Sequence, residues 1–188
     1  IADFNGDGIP EIVVSSVSND LKIYNLNGTT YTNIPINFEF PFSGHPIVDD
    51  VDLDGDLDIF WMGLKNSRGT FTNKLLLNQS DFDGNVAWEF DNSVVMPDLR
   101  NGDIAWDDID LDGDLDLLTS GQQITVESGV TKLYLNDPIG RLGEDTNQEI
   151  EPLKGTSICF SDLDNDADSD LIISGYSPID STLKTLIY

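Results

Sequence analysis

The 188-residue chain is poor in basic residues, histidine and cysteine, and each shortage limits what the protein can do. Nine Lys and Arg face 35 Asp and Glu, so the formal net charge is −26. Nucleic acids and anionic lipid surfaces are bound through clustered basic side chains, and a surface this acidic repels both. No apolar run approaches the roughly 18 residues of a membrane span. We therefore expect no nucleic-acid partner and no direct membrane insertion.

Single copies of histidine and cysteine narrow the chemistry further. Any catalytic triad would have to use His45, which lies beside Pro46 and away from any nucleophile motif. Cys159 has no partner for a disulfide or for a thiolate metal site, and its place in an apolar run predicts a small buried residue. We therefore expect a protein that is not an enzyme.

Aspartate is abundant, and it is concentrated in four nine-residue segments of one pattern, Asp-x-[Asp/Asn]-x-Asp-[Gly/Ala]-x-x-[Asp/Glu]. The segments begin at residues 3, 50, 108 and 162, and together they hold 18 of the 35 acids. Carboxylates packed this closely repel one another at a cost of kcal/mol order per pair unless a cation neutralises them. The charge therefore points to bound metal ions.

The spacing predicts up to four calcium ions, because Ca²⁺ takes roughly six to eight oxygen ligands and alternate residues of a tight loop can supply them. We assign side-chain oxygens at loop positions 1, 3 and 5, the backbone carbonyl at position 7 and a bidentate carboxylate at position 9. Glycine at position 6 suits a left-handed backbone, and Ala167, which replaces it in the fourth loop, is expected to add about 1 kcal/mol of strain. The predicted ligands are Asp3, Asn5, Asp7, Ile9 and Glu11, then Asp50, Asp52, Asp54, Asp56 and Asp58, then Asp108, Asp110, Asp112, Asp114 and Asp116, and finally Asp162, Asp164, Asp166, Asp168 and Asp170.

Other interpretations of the acidic segments are weaker. Magnesium favours fewer protein ligands and retains more water, and four acidic surface turns without metal would leave the repulsion unrelieved. An EF-hand needs an acid at position 12 of its loop, where this chain has Val14, Trp61, Thr119 and Ile173.

Short apolar runs flank the loops and predict β-strands. One run precedes each complete loop, at 44–48, 102–106 and 155–160. Another follows every loop, at 12–14, 59–62, 117–119 and 171–173. A third run starts with a lysine, which suggests one shared place on a strand, at Lys22, Lys74, Lys132 and Lys184. Weaker fourth strands are expected at 36–40, 86–90 and 148–150.

Units of about four antiparallel strands, repeated every ~50 residues, fit the blades of a β-propeller, an all-β fold. The acidic loops, the strands that end in Gly63, Gly121 and Gly175, and the segments 103–108 and 132–136 resemble VCBS/FG-GAP repeat proteins over essentially the whole chain. The resemblance implies a propeller, often seven-bladed and related to the integrin α headpiece, with calcium in hairpins between the first two strands of a blade. It also implies a secreted or cell-surface location.

The expected blades of this single partial propeller domain cover 1–43, 44–100, 101–153 and 154–188. The first lacks its opening strand and the last its closing strand, which leaves about three and a half blades of a propeller that closes with more. The remaining blades of the same parent chain are therefore expected partners.

These features predict a non-catalytic, calcium-binding propeller, secreted or at the cell surface, that serves adhesion by binding a protein or glycan ligand. Two alternatives stay open. One is a lectin-like propeller or the accessory propeller of a polysaccharide-active enzyme, for which Trp88 is the candidate sugar-stacking residue. The other is a structural spacer of a surface protein. Trp61 and Trp106, which flank acidic loops, are expected in the core.

Overall fold

A computed structural model of the protein describes residues 1–15, 21–33, 46–65, 71–79, 87–123, 128–138 and 140–188. These residues are all-β: they form fourteen strands in four open antiparallel sheets, each of three or four strands and compatible with a propeller blade. Among them there is no helix long and apolar enough to cross a membrane. The chain divides into two compact units, Ile1–Asn92 and Ser93–Tyr188, and each unit contains two of the sheets.

The first unit contains sheets 1 and 2, and in both the strands follow one another in chain order. Sheet 1 consists of β1 (Ile12–Ser15), β2 (Leu21–Tyr24) and β3 (Thr30–Asn33). Sheet 2 consists of β4 (Pro46–Asp49), β5 (Asp58–Lys65), β6 (Phe71–Asn78) and β7 (Trp88–Asp91). An isolated antiparallel bridge between Ala2 and Glu11 closes the first acidic loop at the edge of sheet 1.

The second unit contains sheets 3 and 4, again with neighbouring strands consecutive in the chain. Sheet 3 consists of β8 (Leu99–Asp107), β9 (Asp116–Gln123), β10 (Gly129–Leu135) and β11 (Gly143–Asp145). Sheet 4 consists of β12 (Lys154–Ser161), β13 (Asp170–Ser177) and β14 (Thr182–Ile187). The acidic loops of sheets 2, 3 and 4 each join the first two strands of their sheet, as the apolar runs on either side predict.

The fourth strands were predicted least well. The strand expected at 86–90 is found as β7, whereas 36–40 lies outside the described residues. The prediction of a strand at 148–150 is wrong, because β11 is the fourth strand of sheet 3. There the chain turns back directly after β10: Gly140 N donates to Asp137 O at 2.8 Å, and Asp137 N donates to Arg141 O at 3.1 Å.

Three of the four lysines share one register, since each pairs with the third residue after its loop, in the pairs Lys22–Val14, Lys74–Trp61 and Lys132–Thr119. The fourth does not: Lys184 pairs with Gly175, two residues farther along β13. In that position Lys184 forms ion pairs with Glu151 at 2.7 Å and Asp180 at 2.9 Å. The shared place predicted for all four lysines therefore holds for three.

In each unit the core lies between its two sheets. Alternate residues of a strand point to the same face, so the apolar side chains of the two facing sheets meet there. The first core consists of Phe4, Leu21 and Ile23 on the side of sheet 1 and of Ile59, Trp61 and Leu76 on the side of sheet 2. The second consists of Leu118 and Leu133 from sheet 3, of Leu171 and Ile173 from sheet 4, and of Leu153. Trp61 thus lies in the core, as predicted.

Cys159 is exposed, so its prediction as a small buried residue was wrong. It lies in β12 between Ile158 and Phe160, both of which pack on the second core. Because neighbouring residues of a strand point to opposite faces, Cys159 points away from that core. His45 lies outside the described residues.

A glycine in β8 allows a close approach to β9, and its replacement gives a test of the fold. Gly102 lies where the β8–β9 register shifts between Arg100 and Asp103. A Cβ at Gly102 would overlap the Ser120 carbonyl oxygen and lie 2.6 Å from the Gly121 Cα. We expect Gly102→Ala to lower the free energy of unfolding by about 1–3 kcal/mol, measured by urea denaturation.

The matched control is Gly143→Ala in β11, where a Cβ would meet only the Leu135 carbonyl oxygen, at 3.9 Å. We expect this variant to stay within about 0.5 kcal/mol of the parent protein. Equal losses of stability in the two variants would contradict the close approach of β8 and β9.

Candidate metal centres

The acidic loops, residues 3–11, 50–58, 108–116 and 162–170, share one internal hydrogen-bond pattern. In every loop the position 1 carboxylate accepts the position 6 amide, with N···O distances of 2.7, 3.1, 3.1 and 3.2 Å in chain order. The position 5 carboxylate of every loop accepts the position 7 amide. Short side chains that bind the backbone two residues ahead stabilise tight turns. The aspartates therefore stabilise the turn of each loop in addition to giving it negative charge.

Two positions of each loop have left-handed backbone. Position 6 was predicted to do so, and its φ values are 82° at Gly8, 95° at Gly55, 101° at Gly113 and 75° at Ala167. Position 4 was missed, and its φ values are 68° at Gly6, 59° at Leu53, 60° at Leu111 and 66° at Asn165. A residue with a Cβ costs on the order of 1 kcal/mol in this conformation. At position 4 only the first loop has glycine. In the other three loops, the hydrogen bonds within the loop must offset the strain.

The position 9 acid ties each loop to its own start. It accepts the position 2 amide in all four, with N···O distances of 3.0 Å for Phe4–Glu11, 2.9 Å for Val51–Asp58, 2.9 Å for Ile109–Asp116 and 2.7 Å for Leu163–Asp170. In sheets 2 and 3 its second oxygen accepts an amide at the end of the third strand. These contacts are Asn78 N to Asp58 Oδ1 at 2.7 Å and Asn136 N to Asp116 Oδ1 at 2.8 Å. Position 9 therefore anchors the loop to the sheet, a role that the repeated sequence pattern does not indicate.

The carboxylates at positions 1, 3 and 9 converge in the second, third and fourth loops. In each, one oxygen from every member lies within 4.8 Å of the other two, in the triads Asp50–Asp52–Asp58, Asp108–Asp110–Asp116 and Asp162–Asp164–Asp170. Oxygens that share one calcium ion lie about 2.3–2.6 Å from it, so they are at most about 5 Å apart. The triads therefore have the spacing of metal-binding clusters.

Two buried oxygens show that the residues present fit a cation. Oδ1 of Asp50 and Oδ1 of Asp108 are buried, and neither has a hydrogen-bond partner among the described residues. The other oxygen of each accepts the position 6 amide of its loop. A buried carboxylate oxygen without a donor or a cation is costly, so a metal ion at each of the two triads would satisfy the buried oxygen of its own loop.

Positions 5 and 7 lie outside these triads. The position 5 side chains are exposed in all four loops, and each is engaged with the position 7 amide, as at Asp54 and Asp112. At position 7, Ile9 is exposed, whereas Asp114 is buried with Oδ2 lacking a partner among the described residues. The ligand roles assigned to positions 5 and 7 stay predictions.

Burial and crowding disfavour the charged form of these acids. Burial raises the pKa of Asp58 to about 7, and the charges of Asp52 and Asp54 add to the rise. Burial is also the main cause that raises the pKa of Asp50, Asp52, Asp110, Asp114 and Asp116. A bound divalent cation favours the charged form and would reverse these shifts.

The fourth loop differs from the second and third because it is open to solvent. Asp162, Asp164 and Asp166 are exposed, and Asp170 is half-buried. The charge of Asp166 is the largest cause that raises the pKa of Asp164. Its triad has the same spacing as the others but less burial, so solvent screens its charges more effectively.

The regular spacing of loops and sheets agrees with a family comparison. Residues 3–61 match the FG-GAP-like repeat. The FG-GAP-like repeat begins here at Asp3, the first residue of the first loop, and ends at Trp61, three residues after the second loop. The match supports the FG-GAP part of the resemblance inferred from the loops. No curated protein sequence matches the chain.

Trp88, the candidate sugar-stacking residue, lies in β7 and is half-buried. Its ring meets that of Phe4 edge to face, with centroids 6.2 Å apart, and it packs on the first core. These contacts give Trp88 a packing role, and its sugar-stacking role stays a prediction.

The anchoring role of position 9 can be separated from metal binding by working in chelator. Asp116→Ala would leave the amides of Ile109 and Asn136 without their acceptor, so we expect the free energy of unfolding to fall by about 2 kcal/mol. The matched variant Asp112→Ala removes an exposed side chain and frees the Asp114 amide alone, so we expect a smaller loss of about 1 kcal/mol. Urea denaturation measures both, and equal effects would contradict the anchor.

Proposed function

We propose that this chain is a calcium-binding segment of a β-propeller, in which each of the four sheets forms one blade or part of a blade. The observation that carries the proposal is the convergence of carboxylate oxygens at positions 1, 3 and 9, which recurs in the second, third and fourth loops. The match of residues 3–61 to the FG-GAP-like repeat supports the propeller architecture.

Calcium is the ion that the donor set favours. The candidate ligands of the second, third and fourth loops are all aspartates, which suit a hard cation, and the first loop offers Asn5 beside Asp3 and Glu11. Calcium accepts irregular geometry and many protein oxygens, whereas magnesium demands a tight octahedron and keeps several waters. A loop that offers oxygen ligands at five positions therefore suits calcium better than magnesium.

A bound ion would supply positive charge that relieves the repulsion among the loop carboxylates. The protein's own residues transmit that effect to the sheet, because the position 9 acid also accepts amides from position 2 and, in sheets 2 and 3, from the end of the third strand. Calcium binding is therefore coupled to folding, as expected where ligands are brought together only in the folded chain.

The proposed setting is extracellular, either secreted or at the cell surface. Calcium sites of extracellular modules have dissociation constants on the order of 10⁻⁴–10⁻³ M, which only extracellular calcium can fill. We propose a non-catalytic role there, in adhesion through a protein or glycan ligand. The net charge of −26 supports a partner other than a nucleic acid.

Calcium dependence of stability tests the proposal. We expect chelator to lower the melting temperature markedly, because removal of the ions restores repulsion at every occupied loop. Titration calorimetry should find up to four ions per chain, and Asp108→Ala should remove one of them. Turnover of a polysaccharide by the calcium-loaded protein would contradict the non-catalytic role.

The control is Glu89→Ala, which removes an exposed acid of β7 that belongs to none of the loops. We expect it to leave both the stoichiometry and the effect of chelator unchanged. A melting temperature that is indifferent to chelator in the parent protein, or an equal loss of calcium in both variants, would overturn the proposal.

A further inference from the structure

The four acidic loops differ in the residue at position 7 and in how deeply it is buried. Ile9 of the first loop and Asp168 of the fourth are exposed, and Asp56 of the second is half-buried. In the third loop the residue is Asp114, which is only 5% exposed. Among the four loops, all of which lie in the described residues, only the third therefore buries a carboxylate at position 7.

One oxygen of this buried carboxylate is unsatisfied. Oδ2 of Asp114 has no hydrogen-bond partner in the described part of the chain, and the same holds for Oδ1 of Asp108 in the same loop. The second loop has one such oxygen, Oδ1 of Asp50. A buried carboxylate oxygen without a donor is costly unless a cation lies near it. The third loop therefore has two oxygens that a cation would satisfy, against one in the second loop.

The Asp114 side chain lies among the acids of its own loop. Burial is the main cause that raises the pKa of the Asp114 carboxyl, and the charges of four acids, Asp112, Asp108, Asp110 and Asp137, add to the rise. Three of these four acids belong to the third loop. The charge of Asp114 therefore acts at the candidate metal centre, where it repels the other carboxylates and would attract a cation.

The residue that follows the third strand separates the second loop from the third in the same direction. Asn78 and Asn136 have equivalent places, since the backbone amide of each donates to the position 9 acid. After Asn78 comes Gln79, whose Nε2 donates to Oδ2 of Asp52 at 3.2 Å. After Asn136 comes Asp137, an acid. The second loop thus has an amide donor on its position 3 carboxylate, whereas the third loop has an additional negative charge nearby.

We propose that the third loop binds calcium more tightly than the other three, and that the side chain of Asp114 is the feature that distinguishes it. This inference rests on the proposed calcium function and gives position 7 a role beyond its backbone carbonyl. The affinity of a calcium loop depends on its charge count and rigidity, and a charge attracts a cation more strongly where water is excluded. As calcium rises, the loop of sheet 3 therefore fills first.

The first and fourth loops lack one or the other of these properties. The first loop has three acids, because Asn5 and Ile9 occupy positions 3 and 7. The fourth loop has five acids, but Asp162, Asp164 and Asp168 are exposed, so solvent screens their charges. Both loops are therefore expected to fill at higher calcium than the third.

Calcium titration of the metal-free protein tests this order, by calorimetry with a competing chelator that resolves tight binding. We expect one ion to bind at least about tenfold more tightly than the others. Asp108→Ala removes a member of the third triad and should abolish this tightest step. Asp50→Ala removes the equivalent member of the second triad, and it should abolish a weaker step instead.

The role of the side chain is tested by variants that remove charge but keep shape. Asp114→Asn should weaken the tightest step by on the order of tenfold. Asp137→Asn keeps the oxygen that accepts the Arg141 amide, and it should weaken the same step to a smaller extent. The control is Glu89→Gln, which removes the same charge from an exposed position of β7 outside the loops and should leave the tightest step unchanged.

A melting scan in calcium checks that each variant is folded, and Asp137→Asn carries the test if Asp114→Asn fails this check. Three results would overturn the inference and leave calcium binding itself intact: equal affinities at all sites of the parent protein, loss of the tightest step in Asp50→Ala, or charge-removing variants of the third loop that bind like Glu89→Gln. A parent protein that binds no calcium would overturn the proposed function as well.

Discussion

Repulsion between the clustered acids of each acidic loop must be offset before the hairpins and sheets around it can form. Half of the chain's acids lie in loops of nine residues, and the structure brings three of them in a loop to within a few ångströms. Backbone amides offset part of the cost, since positions 1, 5 and 9 all accept hydrogen bonds from the loop itself. Burial, with a smaller contribution from the charges of Asp52 and Asp54, raises the pKa of Asp58 to about 7, so the charged form of this acid stays disfavoured. A divalent cation at the triad is the simplest way to remove the rest.

The position 9 acid joins the acidic loop to the sheet through hydrogen bonds. Asp58 and Asp116 each accept one amide from the start of the loop and one from the third strand of the sheet. A change of charge at the triad can therefore affect three strands of the sheet, because the position 9 acid is bonded to all of them. The acidic loops are thus tied by hydrogen bonds to sheets whose apolar cores are small.

The same logic accounts for the strain in the loops. Leu53, Leu111 and Ala167 adopt left-handed backbone, a conformation that favours glycine. Their strain persists because the carboxylates on both sides bind the backbone and determine the path of the chain. A cation that draws these carboxylates together would hold the strained conformation more firmly.

The four loops, the strands on either side of them and the left-handed backbone at position 6 could be predicted from residue order alone, because they depend on local spacing and on glycine. Which carboxylates converge depends on the folded sheet, since Asp58 and Asp116 accept hydrogen bonds from amides 20 residues farther along the chain. The folded sheets also determine that β11 completes sheet 3, that Lys184 is out of register and that Cys159 points away from the core. Each of these depends on the register between strands or on which face of a sheet is covered, and short-range patterns of residue type do not encode either.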